Sequence, residues 1–286
     1  MIQTESAHIT LPLEGFLTTN SQGIRRLIEW YTLAKEYRTK TITTCCNNLD
    51  WIDANLAALW SALMYKLEKE NNLTFRIDEE ILAKRFSILI RNGFSTGTIP
   101  FSSKTFIQNA SFGPADDEPF SDYIESELMG QQEMKKLPPD LRGLIEANLY
   151  ELYSNVFRHA GTTDPFFICG QYFPKRKELV VSMVDLGQTF LPPINKRTNG
   201  LINTQMESID WALQGNSELG SEGGGHALKC IRKKFDEDGH CLQIVTGNTF
   251  WDSENIQSIL GAFRVYNVEL PGTMVNLIFK TNLLSK

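Results

Sequence analysis

Residues 138–185 constrain this chain more than any other stretch. Pro138-Pro139-Asp140 leads into a helical pattern over 141–160, with apolar positions at Leu141, Leu144, Ile145, Leu149, Leu152 and Val156. Strand-like segments follow at 166–173 and 178–185. A helix with one apolar face beside strands has to bury that face on them. Further strand signals at 240–246 and 273–280 join helical patterns at 205–213 and 227–235. The turn-rich segment 187–203 separates the second strand from the first of these helices. The second half therefore reads as an α+β layered sandwich.

The first half alternates differently. Residues 23–36 read as a helix, 39–44 as a strand, and 49–70 as a long helix that Asp53 could cap. A short strand at 73–77 precedes a helical run with Ile81, Leu82, Phe86 and Leu89, closed by Asn92-Gly93. This is a small α/β unit. Pro100, Pro114, Pro119, Pro138, Pro139 and the acidic run Asp116-Asp117-Glu118 mark a connector, with a short helix expected over 121–131. The expected division is 1–115 and 116–286, and the fold class is α/β (α+β).

Composition excludes several classes. The formal net charge is −6 and the sequence pI about 5.4, which gives no electrostatic footprint for nucleic acid. No apolar run approaches the roughly 18 residues of a membrane helix. Met1-Ile-Gln-Thr-Glu-Ser lacks the basic and apolar regions of a secretory signal. Five scattered cysteines without a C-x-x-C pair suit a reducing compartment. The expectation is a soluble cytoplasmic protein with no membrane or direct nucleic-acid partner.

Three patterns carry chemistry. In Glu151-Leu-Tyr-Ser-Asn155-Val-Phe-Arg-His159, spacing by four places Glu151, Asn155 and His159 on one helix face. A carboxamide oxygen can ligate Mg²⁺ while a carboxylate one turn earlier takes a proton from a nucleophile. The competing reading is a solvated polar face. At 180–187 an apolar strand ends in Asp185, with Gly187 two residues later. That carboxylate can accept a hydrogen bond from an exocyclic amine, although Asp and Gly are also ordinary turn residues. Gly220-Ser-Glu-Gly223-Gly224-Gly225-His226 runs into a helix, where backbone N–H groups can cradle phosphate; a hinge is the alternative.

The order of these boxes, with Pro271-Gly272-Thr273 before the final strand, resembles the GHKL family of ATP-binding domains, the gyrase, chaperone, histidine-kinase and mismatch-repair type. The resemblance covers about 138–282. It implies ATP bound with Mg²⁺ between a helical layer and a lid at 188–220 containing one short helix. Glu151 would be the general base and Asn155 the Mg²⁺ ligand. Asp185 would hold the adenine amino group with Gly187 beside the ring. Gly223, Gly224 and Gly225 would cover the phosphates, and Thr273 would close the adenine pocket. His159 and His226, inside two of the boxes, join the cofactor-binding set. Two positions depart from the pattern: Ala227 stands ahead of Leu228 in place of a glycine, and Thr189 in place of a second Gly.

Thr41-Ile-Thr-Thr-Cys-Cys, Leu49-Asp50-Trp51-Ile52-Asp53 and Leu73-Thr-Phe-Arg-Ile are similar to a STAS domain, the fold of anti-sigma-factor antagonists. Ala54, Asn55 and Leu56 stand where that family carries its phosphoacceptor Ser. The two resemblances together imply an ATP-binding regulatory switch, driven by Mg-ATP, with slow or partner-dependent hydrolysis. The alternative is a protein Ser/Thr kinase of the anti-sigma-factor type acting on a partner protein. A third class is an interaction module that no longer binds ATP productively. Expected partners are ATP and another protein, with a homodimer left open. Lys229, Arg232, Lys233 and Lys234 form a basic cluster that reads as a solvated helix face, a phosphate neutraliser, or a partner for the acidic connector.

Overall fold

The computed structural model describes residues 7–95, 104–159, 161–215, 226–256 and 261–281, with the side chains of His159 and His226 outside that set. The chain is an α/β protein. Strands β1 (His8–Pro12), β3 (Thr41–Cys45) and β5 (Thr74–Ile77) form a parallel sheet in the order β1-β3-β5. Strand β2 (Gly15–Leu17) pairs in parallel with β4 (Leu49–Ile52). Parallel neighbours need crossovers, and α1 (Ser21–Ala34) and α2 (Ala57–Asn71) supply them. Asn20 starts α1 by accepting the N–H groups of Gln22 and Gly23. Asp78 does the same for α3 (Glu79–Arg85), which breaks at Phe86 before α4 (Ser87–Arg91).

The larger sheet has five strands: β6 (Phe106–Phe112), β7 (Phe166–Phe173), β8 (Glu178–Asp185), β9 (Cys241–Asp252) and β10 (Phe263–Lys280). Their order is β6-β7-β8-β10-β9, and every neighbouring pair is antiparallel. One face carries a helical layer. It contains α5 (Asp117–Tyr123) with its π-helical continuation Ile124–Met129, the short α6 (Gln132–Lys135), and α7 (Pro139–His159). After β8 the layer continues with α8 (Leu191–Arg197), α9 (Gln205–Gln214) and α10 (His226–Asp238). The other face is covered by the N-terminal unit, with α1 against β10 and α2 against β7 and β8.

Strand β8 is therefore buried on both sides. Leu179, Val181 and Met183 enter the helical-layer core, while Val184 enters the N-terminal core. This explains why β8 reads as a nearly continuous apolar run. Its one polar interior residue, Ser182, belongs to a hydrogen-bonded chain across the sheet. Asn55 Nδ2 donates to Ser182 Oγ at 2.8 Å, Ser182 Oγ to Asn276 Oδ1 at 2.7 Å, and Asn276 Nδ2 to Gln243 Oε1 at 3.0 Å. Each of these buried polar groups gains a partner that water cannot supply there.

Several expectations change. Residues 49–52 are strand β4, and the helix expected from 49 begins with a 3₁₀ turn at Ala54–Leu56. Asp53 makes no side-chain cap. Its buried carboxylate accepts Thr19 N and Oγ1, which the pairing of β4 with β2 brings to it, and the indole N–H of Trp51, two residues back on β4. Strand β6 lies on the N-terminal side of the 115/116 division yet pairs with β7, so the larger sheet begins at Phe106. The connector helix begins at Asp117, ahead of the expected 121. Segment 187–203 is not all turn: α8 forms there with its prolines in the first turn, where a missing N–H costs no helical bond. Among the described residues, no helix is long and apolar enough to cross a membrane.

Candidate functional site

Helix α7 buries Leu141, Ile145, Leu149, Tyr153 and Val156 in the helical-layer core. That anchoring turns Leu152, Asn155 and Arg158 toward a cavity of about 290 Å³. Met183 and Asp185 of β8 and Thr273 and Val275 of β10 line its sheet side. Phe190 with α8, Trp211 of α9 and Ala227 of α10 complete it. Three of the sequence-derived residues, Asn155, Asp185 and Thr273, thus meet in one apolar hollow containing a few convergent polar groups.

Asp185 ends β8 at the cavity. Its Oδ1 accepts the Gly187 N–H at 2.9 Å, the only donor it has among the described residues. Burial pushes its carboxyl up to about 7, and the Gly187 hydrogen bond pulls the other way. A carboxyl in that condition is ready for a ligand donor. Gly187 acts through this backbone N–H and is not itself part of the cavity lining.

Thr273 sits opposite Asp185 in the β8–β10 register. Its hydroxyl lies 3.1 Å from that of Thr246, which accepts the Phe190 N–H at 3.1 Å. This chain ties the sheet to the start of α8. Gly272 precedes Thr273 with φ +146, and a Cβ there would fall 2.0 Å from the Asp185 carbonyl oxygen. Only glycine lets the two strands approach this closely beside the carboxylate. Thr189 lines the cavity and accepts Gln205 Nε2 at 2.8 Å, so this departure from the GHKL pattern fixes the beginning of α9.

Glu151 lies one turn before Asn155, as the spacing requires, but it is not part of the cavity lining. Its Oε1 accepts the Ala227 backbone N–H at 3.3 Å, across to the first turn of α10. Gly223, Gly224 and Gly225, and the side chains of His159 and His226, lie outside the described residues. The described part of the expected lid, 188–215, holds the two helices α8 and α9 where one was expected, and α9 buries Ile209, Ala212 and Leu213 in the core.

Two arginines, Arg158 inside the first box and Arg197 in the expected lid, had been given no role. Arg158 and Arg197 both line the cavity, and neither has an acidic partner among the described residues. Arg158 is three residues after Asn155, close enough in helical phase to share its cavity. By contrast, two members of the basic cluster of α10 have partners away from the cavity. Arg232 pairs with Asp236 and lies over Trp251, while Lys234 pairs with Asp140 and Asp238.

On the opposite face of the sheet, Ala54 and Asn55 are fully buried. The Ala54 N–H donates to Gln171 Oε1 of β7, and Asn55 bonds Ser182 of β8. The helix end where the STAS resemblance looks for a phosphoacceptor therefore abuts the five-stranded sheet. Comparison of the chain with protein-family models, with curated proteins and with solved structures returns no match.

Proposed function

We propose that the cavity binds ATP with Mg²⁺ and that the protein is a regulatory switch driven by that binding, with slow or partner-dependent hydrolysis. The observation that carries this reading is Asp185. A buried carboxyl with a single donor among the described residues faces an apolar hollow that Asn155 and Thr273 also line. Apolar walls suit a purine ring, and the carboxylate suits its amino group. Arg158 and Arg197, without an acidic partner among the described residues, suit an anionic chain attached to that ring.

The residues fit Mg²⁺ in the usual incomplete way. This ion keeps several waters and takes one or two protein oxygens together with substrate phosphates. Asn155 would provide its amide oxygen, with Glu151 one turn away. Bound ATP would supply the phosphoanhydride that is cleaved. Glu151 would accept the proton of the attacking water, Asp185 would orient the base, and the helical layer would exclude bulk water.

Calorimetric titration with Mg-ATP tests the reading. Wild-type protein should bind, and Asn155→Ala should weaken binding by about 10-fold or more, since a lost metal ligand and its geometry are worth ~1.4 kcal/mol or more. Absence of binding to the wild type would remove the reading.

A further inference from the structure

Two polar rows cross strands β8, β10 and β9, three residues apart along each strand. Asp185, Thr273 and Thr246 are cross-strand partners in one row, and Ser182, Asn276 and Gln243 in the other. Three residues along a strand reverse the side-chain direction, so the rows face opposite sides of the sheet. Asp185 and Thr273 line the cavity. The second row faces the N-terminal unit. The bonds from Asn55 through Ser182 and Asn276 to Gln243 continue there: Gln243 Nε2 donates to the Thr19 carbonyl oxygen at 3.4 Å, and Asn55 Nδ2 also donates to Thr19 Oγ1 at 2.9 Å. Thr19 Oγ1 in turn donates to Asp53 Oδ2 at 2.9 Å, and Asp53 Oδ1 accepts the Trp51 indole N–H at 2.8 Å. Asp53, Asn55, Ser182 and Asn276 are wholly buried, whereas Trp51 is 48% exposed. A hydrogen-bonded relay thus runs from the back of the cavity's strands to the surface.

We propose that this relay carries occupancy of the cavity to the N-terminal unit and brings it to the surface at Trp51. The proposal rests on the ATP reading and adds the route by which binding in the cavity is felt elsewhere. Each group in the relay has its part fixed. Ser182 has one proton, which goes to Asn276, so its bond to Asn55 is as acceptor. Asn55 spends its N–H groups on Ser182 and Thr19, and Thr19 gives its own proton to Asp53. Buried this deeply, the groups have no water to replace a lost bond. A displacement of β8 against β10 is therefore not absorbed within the relay but passed along it. A ligand that bonds Asp185 and Thr273 acts on that same pair of strands, three residues from Ser182 and Asn276. Cutting the relay silences Trp51 and leaves the cavity's own contacts in place.

The full chain is labelled with 5-fluorotryptophan at Trp30, Trp51, Trp60, Trp211 and Trp251 and titrated with Mg-ATP under fluorine NMR. Trp211 lines the cavity and registers binding directly, while Trp51 registers transmission. Trp51→Phe and Trp211→Phe assign the two resonances. In wild type both resonances should move with one midpoint. Ser182→Ala cuts the relay in the sheet, and Thr19→Val cuts it in the N-terminal unit; thermal melting verifies that each variant is folded. At saturation in either variant, the Trp211 resonance should still move, and the Trp51 shift should fall below about half its wild-type size. A Trp51 resonance that stays still while Trp211 moves overturns the proposal. So does a Trp51 shift kept above that level in a folded variant. The wild-type titration decides alone if neither variant folds. If Trp211 does not respond to Mg-ATP in the wild type, the ATP reading itself has failed, an outcome distinct from the others.

Discussion

A carboxyl that titrates near pH 7 divides the neutral range into two binding regimes. Asp185, raised to about 7 by burial, is largely protonated below that value and ionised above it. An amino donor favours the ionised form. Adenosine, which brings no titrating phosphate, should therefore bind more tightly at pH 8 than at pH 6 and release a proton near pH 7. Calorimetry in buffers of different ionisation enthalpy measures that proton. The stability effect has the opposite sense. An unfolded Asp titrates near ~3.9, so between about 4 and 7 the folded chain holds a proton that the unfolded chain has lost. Stability from this group is fully present below about 4 and is lost as pH rises through 7. Asp185→Asn should thus raise the urea midpoint relative to wild type at pH 8 and change it little at pH 4. Beside it, Gly272→Ala should destabilise by about 3 kcal/mol in urea, because its φ is strained for alanine and its Cβ meets the Asp185 carbonyl.

At the scale of elements, the roof of the cavity is a packed layer. Helix α9 begins with a capping box between Thr204 and Glu207 and buries Ile209 completely. Ile209→Ala should cost about 2–5 kcal/mol in denaturant titration and should weaken ATP binding, since Trp211 and Ala212 of the same helix line the cavity. Helix α7 was legible from its apolar period and strands β7 and β8 from their short apolar runs bounded by turn residues, and the Glu151–Asn155 spacing survived folding intact. Strand β6 was not legible. Its Gln108-Asn109-Ala110-Ser111 stretch lacks alternation and follows Pro100, and its place is set by pairing with β7. The first half of β10 was missed for a similar reason: register shifts at Val265–Leu270 and Leu270–Thr273 break its period. Helix α8 was hidden in the turn-rich segment 187–203 because its Pro192 and Pro193 read as turn residues, yet both sit where a helix tolerates them. Arg158 lies inside the first box and Arg197 in the turn-rich segment, and neither position carried a role of its own. Their common destination exists only once α7 and α8 face each other across the cavity.

At the scale of the whole molecule, one sheet serves two cores. Phe167, Val184, Val245 and Met274 join the N-terminal core from the face opposite the cavity. The chain should therefore unfold in a single calorimetric transition, with van't Hoff and calorimetric enthalpies in agreement, despite its two unlike halves. Two resolved transitions would show that the halves hold separately. Ser182→Ala should destabilise by about 1–3 kcal/mol, because it leaves Asn55 and Asn276 short of partners in a buried chain. Strand β8 places Ser182 toward the N-terminal unit and, three residues on, Asp185 toward the cavity. A strand read from both sides restricts descent as well as folding. Recombination that exchanged the N-terminal half for an unrelated one would expose or mismatch the back of the same strand whose front holds Asp185. The two halves of this chain are therefore heritable as a pair, and a lineage could tune one only as fast as the other accommodates it.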